Sequence, residues 1–280
     1  MIKIHVLDTG KVHVPTLVPF GSTGFFNKVK KIVSTKDWVW LPVTSYLIEH
    51  PKGLVLLDTG WDRRISPNGE YDKDSQYPAL GSRILSTINE GVLPSGKAID
   101  EHLLSLGYKP HDLDYVLISH LDCDHVCGVK QVAAAKQIMV SEDEMKFATN
   151  GSIMNSVRYQ PQWWSDVNIT LFNWNDNQGP FNKSYDLFGD RSLQLISIPG
   201  HSAGLFSVKI TNSEGKYVLL DSDGAYSSKS WKEMILPGIG ENTTDQLKSL
   251  HWIRDQSLNE NCIASLATHD PDILPQVIIF

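Results

Sequence analysis

Residues that could perform chemistry are concentrated in the run Ser119–His125, which reads SHLDCDH. Two histidines and two aspartates fall within six residues there, at the end of the apolar run Tyr115–Ser119. Such groups are costly to bury as ordinary core. Imidazole nitrogen and carboxylate oxygen are donors that suit zinc, iron or manganese. The run therefore predicts a metal site, with a solvated polar loop as the alternative.

Three more segments place a histidine or an aspartate where a strand is expected to end. His201 follows Pro199-Gly200, which predicts a rigid turn, and His269 follows the apolar run Cys262–Ala267. Asp223 follows a further apolar run. Strand ends are where α/β proteins gather their active-site groups. A lone histidine at a strand end is more often structural, so the prediction depends on the segments taken together.

The elements that must position these residues include two similar hairpins. Ser45–Gly60 reads SYLIEHPKGLVLLDTG, and Ser207–Gly224 reads SVKITNSEGKYVLLDSDG. Each contains a strand, a tight turn, an apolar strand, the letters LLD and a glycine. Two copies are too few for a solenoid. The pair favours an α/β fold made of two similar halves, with chance similarity of two hairpins as the alternative.

Between the hairpins the sequence predicts one irregular segment and one short helix. Asp62–Pro78 is polar and is predicted to be irregular. Ala98–Leu106 has the spacing of an amphipathic helix, with Ile99, Leu103 and Leu104 expected on one face.

Charge and composition narrow the classes of partner. The chain has 25 lysine and arginine residues against 32 aspartate and glutamate residues, a net charge of −7. This balance does not attract phosphate backbones or anionic lipids, so we expect a small-molecule substrate and no nucleic-acid or membrane partner. The opening MIKIHVLDTG lacks the pattern of a secretory signal, and Cys123, Cys127 and Cys262 cannot form a disulfide framework. We therefore expect a cytoplasmic location.

In order and spacing, the candidate ligands resemble the motif of the metallo-β-lactamase superfamily, and within it the N-acyl homoserine lactonase group. The superfamily pattern is His-x-His-x-Asp-His, followed by single His, Asp and His residues. The matching positions are His120, Asp122, Asp124, His125, His201, Asp223 and His269. Leu57–Gly60 and Asp223–Tyr226 also resemble lactonase segments. The resemblance implies a single hydrolase domain over residues 1–280 with an αβ/βα sandwich, in which two β-sheets carry helices on their outer faces.

The resemblance implies a metal-dependent hydrolase with a dinuclear site, whose bridging hydroxide opens a lactone such as an N-acyl homoserine lactone. Two divalent ions are implied, zinc by family. The first ion would be bound by His120, Asp122 and His201, the second by Asp124, His125 and His269, and both by Asp223. Asp124 would pass a proton to the leaving alkoxide, Tyr226 would hydrogen-bond to the carbonyl oxygen, and Asp58 would orient a ligand histidine.

Two positions depart from the family pattern. Asp122 stands where the family has its second histidine, and Cys127 stands where a glycine is usual. Carboxylate is a harder ligand than imidazole, so Asp122 predicts a shift towards manganese or iron. The LLD letters would assign the bridging role to Asp221. The Asp-x-x-Tyr spacing to Tyr226 favours Asp223, which we choose.

The sequence leaves other activities open. The same fold hosts many chemistries, so another ester, a thioester or a phosphodiester is an alternative substrate. A carboxylate at the position of Asp122 also occurs in diiron redox proteins of the superfamily, and a degenerate metal site is the non-enzymatic alternative. Val14–Phe26, Trp163, Trp164 and Trp174 could line an apolar acyl pocket, with plain core or a homodimer surface as alternatives.

Overall fold

The computed structural model describes residues 1–21 and 37–280, and these form two compact units. The first unit contains Met1–Val14, Trp40–Phe172 and Leu274–Ile279, and the second consists chiefly of Asn173–Ile273. Each unit contains one β-sheet with helices. Within the described ranges, no helix combines the length and the apolar character needed to cross a membrane.

The first unit is built on a sheet of eight described strands. They are β1 (Lys3–Pro15), β2 (Trp38–His50), β3 (Gly53–Leu57), β4 (Glu90–Val92), β5 (Tyr115–Leu117), β6 (Ile138–Ser141), β7 (Ile169–Phe172) and β13 (Gln276–Ile279). Their order is β13-β1-β2-β3-β5-β6-β7, and β4 pairs with β1. Strands β3, β5, β6 and β7 pair in parallel. Because parallel strands end at the same edge, the chain leaves β3 and β5 side by side.

Five α-helices and several 3₁₀ turns accompany this sheet in the described residues. The helices are α1 (Lys73–Leu80), α2 (Ile99–Ser105), α3 (Cys123–Val126), α4 (Glu142–Ala148) and α5 (Ile153–Arg158). The 3₁₀ turns are Arg63–Ile65, Leu85–Thr87, Pro110–Asp112, Cys127–Val132 and Pro161–Trp163. Ser141 begins α4 as its N-cap, because its Oγ accepts a hydrogen bond from Glu144 N over 3.1 Å.

The second unit is built on a five-stranded sheet. Its strands are β8 (Ser184–Asp186), β9 (Leu193–Ser197), β10 (Phe206–Thr211), β11 (Tyr217–Ser222) and β12 (Cys262–Ala267). Their order is β12-β11-β10-β9-β8, and only the β11–β12 pairing is parallel. The helices α6 (Ser228–Glu233) and α7 (Thr243–Ser257) accompany it. Leu250 and Ile253 of α7 are fully buried in a core with Ile198 and Leu205.

The structure confirms the repeated hairpin and corrects two details of the sequence analysis. Strands β2 and β3 pair antiparallel, as do β10 and β11. In α2, Ile99 and Leu103 are fully buried but Leu104 is 72% exposed, because it lies five residues from Ile99 and faces away from it. The segment Asp62–Pro78 is not irregular throughout, since α1 begins at Lys73 with Asp72 as its N-cap.

Candidate metal centre

Four of the predicted ligands lie in the loop and helix that follow β5. His120 and His125 are fully buried, and the Asp124 side chain is 6% exposed. Asp122 is the N-cap residue of α3, and its carbonyl oxygen accepts hydrogen bonds from the backbone N–H of His125 and Val126. This turn reverses the direction of the chain between His120 and His125. The imidazole rings of His120 and His125 consequently lie 4.1 Å apart between centroids.

Asp58 sets the orientation of both histidines. Its Oδ2 lies 2.8 Å from His125 Nδ1 and also accepts a hydrogen bond from Ser119 Oγ over 2.8 Å. A carboxylate only accepts, so His125 donates from Nδ1 and keeps its lone pair on Nε2. Ser119 Oγ, having donated to Asp58, accepts from His120 Nδ1 over 3.1 Å. Both rings therefore keep their lone pair on Nε2, the atom through which each could bind a metal ion.

The backbone around Asp58 is fixed by the same loop. Asp58 has a φ of 57°, a left-handed conformation that aspartate adopts more readily than most residues. Its Oδ1 accepts from Ser119 N over 2.7 Å, and Thr59 N donates to the His125 carbonyl oxygen over 2.9 Å. A Cβ on Gly128 would lie 2.3 Å from the Thr59 carbonyl oxygen, so this glycine is required for close packing.

Asp122 contacts both a motif histidine and a cation that sequence reasoning did not find. Its Oδ2 lies 3.3 Å from His120 Nε2. Arg158 donates to both carboxylate oxygens, from Nε to Oδ1 over 2.6 Å and from Nη2 to Oδ2 over 2.7 Å. Burial opposes the charged guanidinium and is the largest single effect, but Asp122, Tyr159 and Glu144 together outweigh it, so the pKa of Arg158 lies well above its usual value. No pattern in the sequence connects Arg158 with this motif.

In the second unit, Asp223 lies between the other two predicted histidines. Its Oδ2 is 3.6 Å from His201 Nε2, and its Oδ1 is 3.2 Å from His269 Nε2. All three side chains are almost completely buried. His201 follows Gly200, whose φ is +131° and where a Cβ would lie 2.3 Å from Gln246 N. The Pro-Gly turn therefore positions His201 through a conformation and a close approach that need glycine.

Asp221 and Asp223 differ in their surroundings, and this difference supports the choice of Asp223. Asp221 is fully buried and accepts hydrogen bonds from Ser265 Oγ over 2.6 Å and from Ser207 Oγ over 3.1 Å. Burial raises the pKa of Asp221 to about 7, against the opposing effect of these two serines. Asp221 is therefore a structural carboxyl bonded to strand hydroxyls, whereas Asp223 faces imidazoles.

Tyr226 lies in the histidine cluster of the second unit. Its ring stacks on His269 at 5.0 Å between centroids and meets the ring of His201 edge-on at 6.0 Å. The side chain is 5% exposed. The Asp223-Gly224-Ala225-Tyr226 turn thus places the tyrosine beside both histidines that contact Asp223. Tyr226 therefore lies next to two of the predicted ligands.

The predicted apolar pocket residues occupy separate surroundings. Trp163 is fully buried and donates from Nε1 to the Ala79 carbonyl oxygen over 3.1 Å, so it is a core residue against α1. Trp164 meets it edge-on at 6.2 Å, whereas Trp174 is half-buried. Of the segment Val14–Phe26, residues 22–26 lie outside the described part of the chain. The core alternative is the better account of Trp163.

Comparison with known proteins agrees with these features. The family model described as metallo-beta-lactamase superfamily matches residues 38–215. The chain is 30% identical to the N-acyl homoserine lactonase AttM of Agrobacterium fabrum and 26% identical to an N-acyl homoserine lactonase of Bacillus cereus. These alignments cover 83% of both chains for the first, and 80% of this chain and 79% of the relative for the second.

Solved structures show the same fold. An N-acyl homoserine lactone hydrolase, solved with the product N-hexanoyl-L-homoserine at its catalytic metal centre, matches with a TM-score of 0.76 at 20% identity. The match covers 99% of this chain and 98% of that one. The fold class predicted from the sequence is thus confirmed. The chain belongs to the metallo-β-lactamase superfamily.

Proposed function

We propose that this chain is a metal-dependent hydrolase with a dinuclear site that opens a lactone. The observation that carries the proposal is the arrangement around Asp223. Each of its carboxylate oxygens faces a different histidine, at 3.6 Å for His201 and 3.2 Å for His269. Two donors bound to one tetrahedral zinc ion lie about 3.3 Å apart. The two distances at Asp223 are close to this value, so each of its oxygens could share one ion with one histidine. Asp223 would then bridge two ions.

The other donors fit divalent ions by their chemistry. Three of the four in the first unit are buried, His120 and His125 keep Nε2 as donor, and donor atoms of Asp124 and His125 lie within 4.8 Å. Imidazole and carboxylate together suit zinc, manganese or iron. We assign the first ion to His120, Asp122 and His201, the second to Asp124, His125 and His269, and the bridge to Asp223. Zinc is the proposed metal, by family, and manganese or iron is the alternative that the harder ligand Asp122 introduces.

Three residues of the chain then have separate roles in ester cleavage, beside the metal ions. Divalent ions, when bound, lower the pKa of coordinated water to about 7 and so supply a nucleophile at neutral pH. Tyr226 donates a hydrogen bond to the substrate carbonyl oxygen and stabilises the charge that develops there. Asp124 would take the proton of the attacking oxygen and pass it to the leaving alkoxide. Asp58 keeps His125 and His120 in the tautomer that binds metal.

The lactone is proposed as the substrate because the relatives are N-acyl homoserine lactonases. Another ester, a thioester or a phosphodiester on the same fold is the second candidate, since the fold alone does not select the substrate. The test is a panel of N-acyl homoserine lactones, simple lactones, thioesters and phosphodiesters, assayed with protein whose metal content has been measured. Lactone turnover that depends on bound metal supports the proposal. Turnover confined to phosphodiesters or thioesters would replace it.

Two further expectations belong to this proposal. A homodimer and a cytoplasmic location remain predictions from the sequence. Sedimentation equilibrium measures the first, because a dimer would have twice the 31.3 kDa mass of the chain. A mass that stays at one chain over the accessible concentration range would contradict the dimer.

A further inference from the structure

Arg158 is not assigned by the family motif and takes no part in the mechanism proposed above. It is the last residue of α5 and binds both oxygens of Asp122, at 2.6 Å and 2.7 Å. One of these oxygens, Oδ2, also lies 3.3 Å from His120 Nε2. The same carboxylate oxygen therefore faces a guanidinium and an imidazole of the metal motif.

The guanidinium of Arg158 is held in place by more than this ion pair. It lies 5.0 Å above the ring of Tyr159, which in turn meets the ring of Phe147 edge-on at 5.9 Å. The Arg158 and Asp122 side chains are only 21% and 17% exposed. Bidentate pairs of arginine with carboxylate are among the stronger hydrogen-bonded contacts, and partial burial strengthens their attraction.

This ion pair changes the charge that a metal ion would meet. Replacing the family histidine by Asp122 adds one negative charge to the donor set, and Arg158 adds one positive charge beside it. The pair is neutral, as the histidine would be. However, the carboxylate is already bound through both oxygens. A divalent ion must therefore share Asp122 with a fixed cation that repels it.

We propose that Arg158 competes with a divalent ion for Asp122, and so weakens metal binding at the position of His120 and Asp122. This inference rests on the proposed dinuclear site. It makes Arg158 a positioning residue that tunes metal occupancy.

The experiment compares Arg158→Gln with Arg158→Lys. Glutamine removes the charge but can still donate one hydrogen bond to Asp122, whereas lysine keeps the charge. Arg64→Gln is the matched control, because Arg64 pairs with Asp62 on the surface of the same unit at 2.9 Å. Purified metal-loaded proteins are dialysed against a graded series of chelator concentrations. Zinc and manganese per chain are then measured by elemental analysis.

We expect the wild type to lose one ion at a lower chelator concentration than the other. Arg158→Gln should keep that weaker ion to about tenfold higher chelator, because a repelling charge has been removed. Arg158→Lys and Arg64→Gln should stay close to the wild type. If Arg158→Gln loses the ion at the same or a lower chelator concentration, the competition does not exist. Protein that holds no metal in any form would instead contradict the proposed function.

A second measurement titrates the wild type, uses Arg158→Lys only for assignment, and covers the case in which Arg158→Gln does not fold. The ¹⁵N resonance of Arg158 Nε, assigned by its absence in Arg158→Lys, reports the hydrogen bond to Asp122. Adding zinc to protein that carries one ion should move this resonance as the second ion binds. A resonance that does not respond to the second equivalent would overturn the proposal.

Discussion

Asp58 controls two metal-motif histidines through one carboxylate, directly for His125 and through Ser119 for His120. In Asp58→Asn, an amide NH₂ would face groups that are themselves donors. We expect metal affinity to fall by about 10- to 100-fold, the range for removing an outer partner of a ligand histidine. Asparagine tolerates the left-handed φ of 57°, so the change acts through the side chain.

A competition titration with a chromogenic chelator measures this affinity. Asp114→Asn is the matched control, because Asp114 accepts hydrogen bonds from Leu54 N and Lys136 Nζ at the other end of β3 and β5. The control should bind metal like the wild type. Equal affinities for Asp58→Asn and Asp114→Asn would show that Asp58 does not orient the ligands.

Tyr226 should act on the substrate and not on metal binding. Tyr226→Phe keeps the ring that stacks on His269 and removes only the hydroxyl. We expect unchanged metal content and a kcat about 10- to 1000-fold lower, the scale for losing an oxyanion donor. Tyr217→Phe is the control, because the Tyr217 hydroxyl donates to the Gln256 carbonyl oxygen in the same unit. An unchanged kcat for Tyr226→Phe on a good lactone would make its hydroxyl structural.

The residue types, their spacing and the family resemblance were enough to predict the candidate ligands and one outer partner, Asp58, but not Arg158. Asp58 was a candidate because it follows a strand in a family-like segment. Arg158 gave no comparable indication, since it lies 36 residues from Asp122 and nothing in its own helix marks it. A contact between side chains so far apart depends on how α5 returns to the motif, which local sequence does not specify.

Among the elements, the turn before His201 should be the most sensitive to a small change. Gly200 and Gly215 both have positive φ, but only at Gly200 would a Cβ meet backbone atoms, with Gln246 N at 2.3 Å. Gly215→Ala should lower the free energy of unfolding by about 1–2 kcal/mol, because alanine is strained in the left-handed conformation. Gly200→Ala should lower the free energy of unfolding by more and reduce metal content. Urea denaturation and elemental analysis test both, and equal losses for the two variants would contradict the steric argument.

Helix α2 should weaken in acid. His102 is partly buried, and its Nε2 donates to the Asp8 carbonyl oxygen over 2.7 Å. Burial lowers the pKa of His102 below its usual 6.5, with the Asp8 carbonyl opposing. The folded state thus prefers the neutral ring. Its contribution to stability is fully present above pH 6.5 and is lost as pH falls through the lowered pKa.

The variant that tests this dependence is His102→Gln, which keeps a donor but does not titrate. Between about pH 7.5 and pH 5, the wild type should lose more unfolding free energy than His102→Gln. His111→Gln is the control, since the His111 side chain is 65% exposed. The same loss in all three proteins would exclude His102 as the cause.

The strands and turns of the two hairpins, which have long hydrophobic patterns, were predicted correctly. The short helices α1 and α2 were missed or predicted in part. Both hairpins have alternating or apolar strands around a turn, and their pairing was predicted. Helix α1 contains Pro78 and mostly polar residues, so no apolar periodicity indicated it. Leu104 was assigned to the buried face from its apolar character, although its angular position in α2 points it towards solvent.

For the whole molecule, bound metal should contribute to stability. A ligand that binds only the folded state stabilises it, by about 2.7 kcal/mol at a concentration 100 times its Kd. We expect chelation to lower the Tm of the wild type and zinc to restore it. Asp223→Ala should lose both ions and activity, and its Tm should not respond to chelator. An activity retained in full by Asp223→Ala, with one ion lost, would contradict the shared bridge.

The repeated LLD segment has a consequence for the uses of one buried carboxylate in this fold. Both copies end in a buried aspartate that accepts hydrogen bonds from serine hydroxyls, Asp58 from Ser119 and Asp221 from Ser207 and Ser265. Among the described contacts, only the Asp58 copy also holds a histidine, His125. The same local arrangement, a buried carboxylate bonded to serine hydroxyls, therefore holds strands of the sheet together at Asp221 and orients a predicted metal ligand at Asp58.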